Sequence, residues 1–238
     1  MTDLSDRVIA IAGAAGGLGP AVCRRLAAAG ATLACTDVSE ERLDALASEL
    51  DVASDRLDTA TVDLLDDAAA RAWAQALAGR FGRVDGLIHL VGGWRGGQPI
   101  AEAPLSDYEW LHDLLVRTVQ HATRAFYPQL VASERGRFVV VSSSQAQVPD
   151  ATNAAYATTK AAAEAWTLAL ADSFREAGSA ATANVVVVNA ILTEEMRREN
   201  PDKAFRSFTP TENIAEAIAF VCSDAGARMN GKRLSLHP

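Results

Sequence analysis

Short apolar runs alternate along the whole chain with longer stretches in which apolar residues return every three or four positions. Residues 8–12 form the first apolar run. A glycine-rich turn follows, and then an Ala/Leu-rich stretch, 18–29, that Gly30 closes as a helix. Residues 31–36 predict the second strand, and 40–50 a helix that Ser39 can cap. A strand ending near Asp63, a helix over 66–81 and an apolar strand over 86–91 continue the order. Ser106-Asp107-Tyr108-Glu109 has the spacing of a capping box. It predicts the start of one long helix with Trp110, Leu114, Thr118, Ala122 and Phe126 on a broad side. Residues 137–141 read as the fifth strand, 154–176 as an alanine-rich helix ending before Gly178, and 183–190 as the sixth strand. Thr209 and Pro210, with Glu212 behind them, open a last helix, and 232–236 is a short seventh strand. Uniformly apolar strands must be buried on both sides, so the alternation predicts an α/β fold with a parallel sheet between two helical layers.

Composition narrows the class without changing that picture. The chain has 238 residues, 49% of them apolar and 22% charged, which suits one α/β domain spanning 1–238, with neither linker nor repeat. Lys and Arg total 22 against 30 Asp and Glu, a formal charge of −8 with no long basic stripe. Such a surface repels nucleic acid and anionic lipid, so neither is expected as a partner. The N-terminal residues lack the basic start and apolar stretch of a signal peptide, and no apolar run reaches the roughly 18 residues that a membrane span needs. A soluble cytoplasmic protein is the expectation. Cys23, Cys35 and Cys222 are odd in number, widely spaced and embedded in apolar segments, and read as small buried hydrophobes rather than as metal ligands or nucleophiles.

The turn after the first strand carries candidate chemistry. Gly13, Gly17 and Gly19, with Leu18 between the last two, stand at the spacing GxxxGxG between a strand and its helix. Glycines there allow a tight turn and let the backbone approach a pyrophosphate, whose charge meets the unpaired N–H groups of the helix end. Asp37 ends the second strand, where a carboxylate accepts from a ribose 2′-hydroxyl and repels a 2′-phosphate. No Arg or Lys lies between Gly13 and Gly19, and Val38 and Ser39 supply no cation, so NAD is favoured over NADP. Asp63 and Leu64 close the third strand as candidates for an adenine contact. Val91 and Gly92 end the fourth, where exposed backbone can carry the adenosine ribose.

A second constellation is Tyr156-Ala157-Thr158-Thr159-Lys160, with Ser143 thirteen residues before the tyrosine. A phenol and an ammonium at i and i+4 share one helix face. Reducing a carbonyl requires a proton at oxygen, and a lysine cation beside a tyrosine stabilises the phenolate and lowers a pKa that is otherwise about 10. Ser143 would orient the substrate oxygen.

Taken together, AGAAGGLG, Asp37, Asp63-Leu64, Ser143, YATTK and the late TEEM segment resemble the short-chain dehydrogenase/reductase family over essentially the whole chain. The resemblance implies a Rossmann-like three-layer α/β/α sandwich with a seven-stranded sheet, and hydride transfer between a nicotinamide and an alcohol or carbonyl without a metal. It further implies that Lys160 also binds the nicotinamide ribose, that Thr193 contacts the carboxamide and Ile191 offers backbone, and that two long helices pair copies into a homodimer or homotetramer. Three departures accompany it. His89-Leu90-Val91-Gly92 stands where the family has Asn-Asn-Ala-Gly, and the Pro-Gly usual after the sixth strand is absent. Arg117, seven residues after Trp110, stands where an Asn usually completes a proton relay. It either brings a second cation near Lys160 and the substrate or turns outward. Trp94, Arg95 and Gln98 are candidate pocket residues at the sheet's carboxyl edge, and 193–209 is a short polar substrate lid. The leading expectation is an NAD-dependent oxidoreductase for a secondary alcohol or ketone. The alternatives are an NADP-using carbonyl reductase and a nucleotide-sensing or scaffold protein with little turnover.

Overall fold

The computed structural model describes residues 2–237. Seven parallel strands form one sheet: β1 (Val8–Ala12), β2 (Thr32–Asp37), β3 (Leu57–Thr61), β4 (Gly86–His89), β5 (Arg137–Ser143), β6 (Thr182–Val188) and, nearest the C-terminus, β9 (Arg233–Ser235). Their order is β3-β2-β1-β4-β5-β6-β9. The chain winds outward from β1 in both directions, so the loops after β1 and β4 part and leave a crevice at the carboxyl ends of the strands.

The two-residue period of the strands sorts their side chains into two cores. Ile9, Ile11, Leu33, Cys35, Val139, Val141 and Val186 face α1 (Gly19–Ala28), α2 (Glu40–Glu49) and α8 (Thr211–Cys222). Ala10, Ala12, Leu87, Phe138, Val140, Val185 and Val187 face α3 (Asp67–Phe81), α5 (Thr118–Ala132) and α6 (Ala154–Glu176). Both sides are dry, which is why the strands read as unbroken apolar runs. All three cysteines are buried and unbridged.

Several elements differ from the sequence-based expectation. The long helix starts at Leu105, behind Pro104, so Ser106 lies inside it and caps nothing. It runs as α4 (Leu105–His112) only to a single wide turn over 113–117, in which the Thr118 N–H reaches back five residues to the Asp113 carbonyl, and then continues as α5. The last long helix begins one residue after Pro210, because the Thr209 hydroxyl is engaged by the Leu236 carbonyl at 3.3 Å. β4 stops at His89 and β3 at Thr61, both short of the expected ends. The expected sixth strand divides: after Val188 the chain leaves the sheet, and β7 (Ala190–Leu192) pairs with β8 (Phe208–Pro210), with α7 (Glu194–Glu199) between them. Among the described residues no helix is long and apolar enough to cross a membrane.

Candidate active site

A cavity of about 570 Å³ opens at the crevice, lined by Gly13, Gly17 and Leu18 from the first turn, Val91 to Trp94 after β4, Tyr156 and Lys160 on α6, and Asn189 to Ile191 with Thr193 after β6. Gly13 has φ +76°, and a Cβ there would stand 2.7 Å from the Val91 nitrogen. The turn is held by Gly13 and Ala14, whose N–H groups both donate to the Thr36 carbonyl, at 2.9 and 3.0 Å. Gly19 lies outside the cavity: a Cβ there would fall 1.9 Å from the Ala14 carbonyl oxygen, so this glycine lets the helix pack on its own turn. No side chain caps the start of α1; the Gly19 N–H turns back to the Gly16 carbonyl at 3.1 Å, Pro20 has none and the Val22 N–H goes to the Leu18 carbonyl at 3.3 Å, so an anion would meet the Gly17 and Leu18 backbone that lines the cavity. The cradle therefore fits a dinucleotide pyrophosphate.

Asp37 is buried at the end of β2. Its Oδ1 accepts from the Val38 N–H at 2.9 Å, from the Ser39 N–H at 3.4 Å and from Arg42 Nη2 at 2.8 Å. The cation missing from the neighbouring positions in sequence is thus returned by the first turn of α2, a contact that a search of adjacent residues does not reach. Asp63 is exposed and accepts from the Leu65 N–H at 2.9 Å; Leu64 is buried, and its carbonyl lies 2.9 Å from His121 Nδ1.

At the other end of the cavity Ser143 stands near enough to the Tyr156 phenol to act on its ionisation, and its hydroxyl oxygen accepts from the Gln145 N–H at 3.3 Å. Lys160 is only 8% exposed, and its ammonium donates to the Val141 carbonyl at 2.9 Å and stands 5.8 Å from the centre of the Tyr156 ring. Burial pushes the Lys160 pKa down to about 8, with Glu164 one turn on pulling it upward. Tyr156 differs from expectation. Its pKa is raised, because desolvation of the phenolate outweighs the lowering influence of Ser143, and the lysine does not lower it in this geometry.

This arrangement on a parallel sheet agrees with the sequence comparisons. A family model described as short chain dehydrogenase matches residues 7–204. The chain belongs to the short-chain dehydrogenase/reductase family. These oxidoreductases use nicotinamide cofactors and act on small molecules. A short chain dehydrogenase of Pseudocercospora fijiensis is 32% identical over 160 residues, covering 67% of this chain and 52% of that protein, so the match spans about half of the relative's length. Sulfoacetaldehyde reductase 2 of Chromohalobacter salexigens is 30% identical over 99% of this chain and 95% of that one. The NADPH-bound structure of a short chain oxidoreductase from Pseudomonas aeruginosa PAO1, which contains an atypical catalytic center, superposes with a TM-score of 0.89 at 25% identity, covering 99% of this chain and 96% of that one.

Against the family pattern, Arg117 is corrected. It is exposed and pairs with Asp113 at 2.9 Å, outside the cavity. Two further pocket candidates also stand apart from it: Arg95 stacks 4.1 Å over the Trp110 ring and pairs with Asp107 at 3.3 Å, and Gln98 is exposed on the loop beyond. Trp94 does line the cavity, its indole N–H donating to Asn153 Oδ1 at 3.2 Å. Without Pro-Gly after β6, Asn189 anchors the departing chain. Its Oδ1 accepts from the Ser144 hydroxyl at 2.9 Å and its amide donates to the Ser207 carbonyl at 3.3 Å. Gly93 lines the cavity beside Val91 and Gly92, and so do Leu90, Ser142, Gln145 and Asn189, to which no motif assigns a role. Their common signal is position, since each follows or ends a strand at the carboxyl edge. A larger cavity, about 1030 Å³, lies at the amino edge near Asp85, whose carboxylate is already shared by Val8, Arg83 and Ser133.

Proposed function

We propose that this enzyme transfers hydride between NAD(H) and a secondary alcohol or ketone, with Tyr156 as general acid and base. The observation that carries the reading is that Tyr156 and a buried Lys160 one helical turn on line the same cavity as the glycine turn, with Ser143 near enough to the phenol to act on its ionisation. Gly13, Gly17 and Leu18 would hold the pyrophosphate, Asp37 the adenosine ribose, Val91 and Gly92 the neighbouring backbone contacts, and Ile191, Thr193 and Lys160 the nicotinamide half. Asp63 and Leu64 border the adenine side. A bound nicotinamide supplies or accepts the hydride. The chain's own residues manage the oxygen: Ser143 orients it and Tyr156 gives or takes its proton, while Lys160 on the same helix face would hold the nicotinamide ribose beside them. The raised Tyr156 pKa suits the reductive direction, because the phenol stays protonated at neutral pH. The segment 193–209 would cover the substrate, and the cavity of about 360 Å³ between Tyr127, Trp166 and Leu170 on α5 and α6 supports pairing of copies through those helices.

Tyr156→Phe tests the assignment. Cofactor binding should persist while turnover falls by about 10²–10⁴-fold, the usual weight of acid–base catalysis. Unchanged turnover of a verified substrate would sink it and favour a different oxygen-handling group.

The Asp37–Arg42 pair favours a second reading, acceptance of NADP(H). Repulsion between Asp37 and a 2′-phosphate is offset in part by a guanidinium that is itself 55% exposed. Direct titration with NADH and NADPH decides it: tighter NADH binding supports the leading reading, and Arg42→Ala should then weaken NADPH more than NADH.

A further inference from the structure

His89 is the last residue of β4, in register with Ala12 on one side and Val140 on the other. Side chains two apart on a strand share a face, so its imidazole follows Leu87 to the side covered by α5 and α6. α6 is the helix that carries Tyr156 and Lys160. Lys160 reaches down to β5 and donates to the carbonyl of Val141, the residue after the one that faces His89 across the ladder. Imidazole and ammonium are therefore neighbours beneath the cavity, and after burial the Lys160 charge is the main influence holding the His89 pKa down to about 3. The ring is neutral at working pH. Of the other charged groups on the covering elements, Glu164 of α6 is engaged by Arg233 of β9 at 2.7 Å, and Arg117 faces outward with Asp113.

The ring is 1% exposed, and neither Nδ1 nor Nε2 has a hydrogen-bond partner among the described residues. A neutral imidazole carries one donor and one acceptor, and burying both unpaired is an arrangement that folded proteins nearly always avoid. Lys160 has three N–H donors, one of which goes to Val141. The helix opposite offers little. Arg117 points away, and the Thr118 hydroxyl is spent on the Leu114 carbonyl at 2.7 Å.

We propose that His89 positions Lys160 in this enzyme, its acceptor nitrogen taking a hydrogen bond relayed from the ammonium through a single water. A Lys160 N–H donates to the water oxygen, and a water O–H donates to the ring nitrogen; no proton changes owner and no bond breaks. The ammonium is thereby held under Tyr156 by two fixed points, the Val141 carbonyl and His89, in place of an amide from the long helix. The inference rests on the reading that Tyr156 and Lys160 are the reacting pair.

The test has one readout without turnover and one with it. In two-bond ¹H–¹⁵N spectra of labelled protein, the acceptor nitrogen of His89 should carry the shift of a hydrogen-bonded pyridine-type nitrogen and move by several parts per million in Lys160→Met. Ring signals indifferent to that substitution would overturn the proposal. In steady-state kinetics His89→Leu should lower kcat by about tenfold to a hundredfold at unchanged KM, since misplacing a catalytic group costs that much. Its thermal midpoint should match or exceed that of the parent, because an apolar side chain replaces a buried imidazole whose donor nitrogen has no partner. His89→Asn, which restores an acceptor, should recover most of kcat. Parental kcat in His89→Leu would mean that the ring only packs, and would overturn the proposal. If Tyr156→Phe kept full activity while the His89 signals still answered to Lys160, the contact would stand and the assignment of Tyr156 would fall.

Discussion

Adding one methyl group to four different glycines separates backbone strain from steric exclusion in this fold. Gly13 has φ +76°, and its Cβ would approach the Val91 nitrogen to 2.7 Å; Gly82, at the end of α3, has φ +72° but open space around it; Gly79, inside α3, has open space and ordinary helical backbone. For Gly82→Ala only the left-handed conformation counts, a cost of about 1–2 kcal/mol. Gly13→Ala adds overpacking against the β4 backbone, a further ~1–3 kcal/mol, for a total of about 2–5 kcal/mol. In a chain of this size each kcal/mol moves Tm by roughly 2–4 °C, so a fall of about 4–20 °C is expected for Gly13→Ala. Gly79→Ala should stabilise by about 0.5–1 kcal/mol through lost freedom of the unfolded chain. Gly19→Ala, with its 1.9 Å approach to the Ala14 carbonyl oxygen, should be the worst of the four. The assay is urea and thermal unfolding followed by circular dichroism without added dinucleotide, and then dinucleotide titration of whatever folds. A Gly13→Ala protein no less stable than Gly82→Ala would refute the claim that the β4 backbone closes on this turn.

Lys160 gives a signed pH dependence. Its pKa falls from 10.5 to about 8 on folding, so wild type carries a penalty of about 3 kcal/mol below pH 8 that is relieved as pH rises toward 10.5. Lys160→Met should therefore be the more stable protein at pH 7, by up to that amount, and denaturant titrations should show the gap closing between pH 8 and 10.5. His89, lowered from 6.5 to about 3, binds its proton more readily in the unfolded chain, so wild type should lose about 1.4 kcal/mol per pH unit below 6.5 while His89→Leu does not; acid unfolding curves compare the two. Arg117→Ala should leave both turnover and Tm nearly unchanged, within about 0.5 kcal/mol, because its partner Asp113 is as exposed as it is. Arg233→Met should cost about 3–5 kcal/mol in denaturant, since it leaves the Glu164 carboxylate buried without its partner.

Arg117 shows where counting along the chain stops working. Seven residues after Trp110 would return to the same helix face in an unbroken α-helix, but the wide turn over 113–117 adds a residue to the repeat and rotates the remainder of the helix by about 100°. Arg117 swings out and Thr118 swings in. Asp37 shows a second limit: its cation is Arg42, five positions on, delivered by a helix start that Ser39 caps.

The features legible in residue order alone are therefore local and periodic. Alternating apolar runs and helical repeats set the parallel sheet and its layers, glycine spacing set the turn after β1, and the i, i+4 step set Tyr156 beside Lys160, because each depends on bond geometry within a few residues. Packing determined the rest: that Arg117, Arg95 and Gln98 stand outside the cavity, that the chain after β6 leaves the sheet to pair with 208–210, and that His89 lies under Lys160 with neither nitrogen paired. Those outcomes depend on helix phase, on strand register across the sheet and on which groups are shut away from water, quantities that exist only once distant segments have come together.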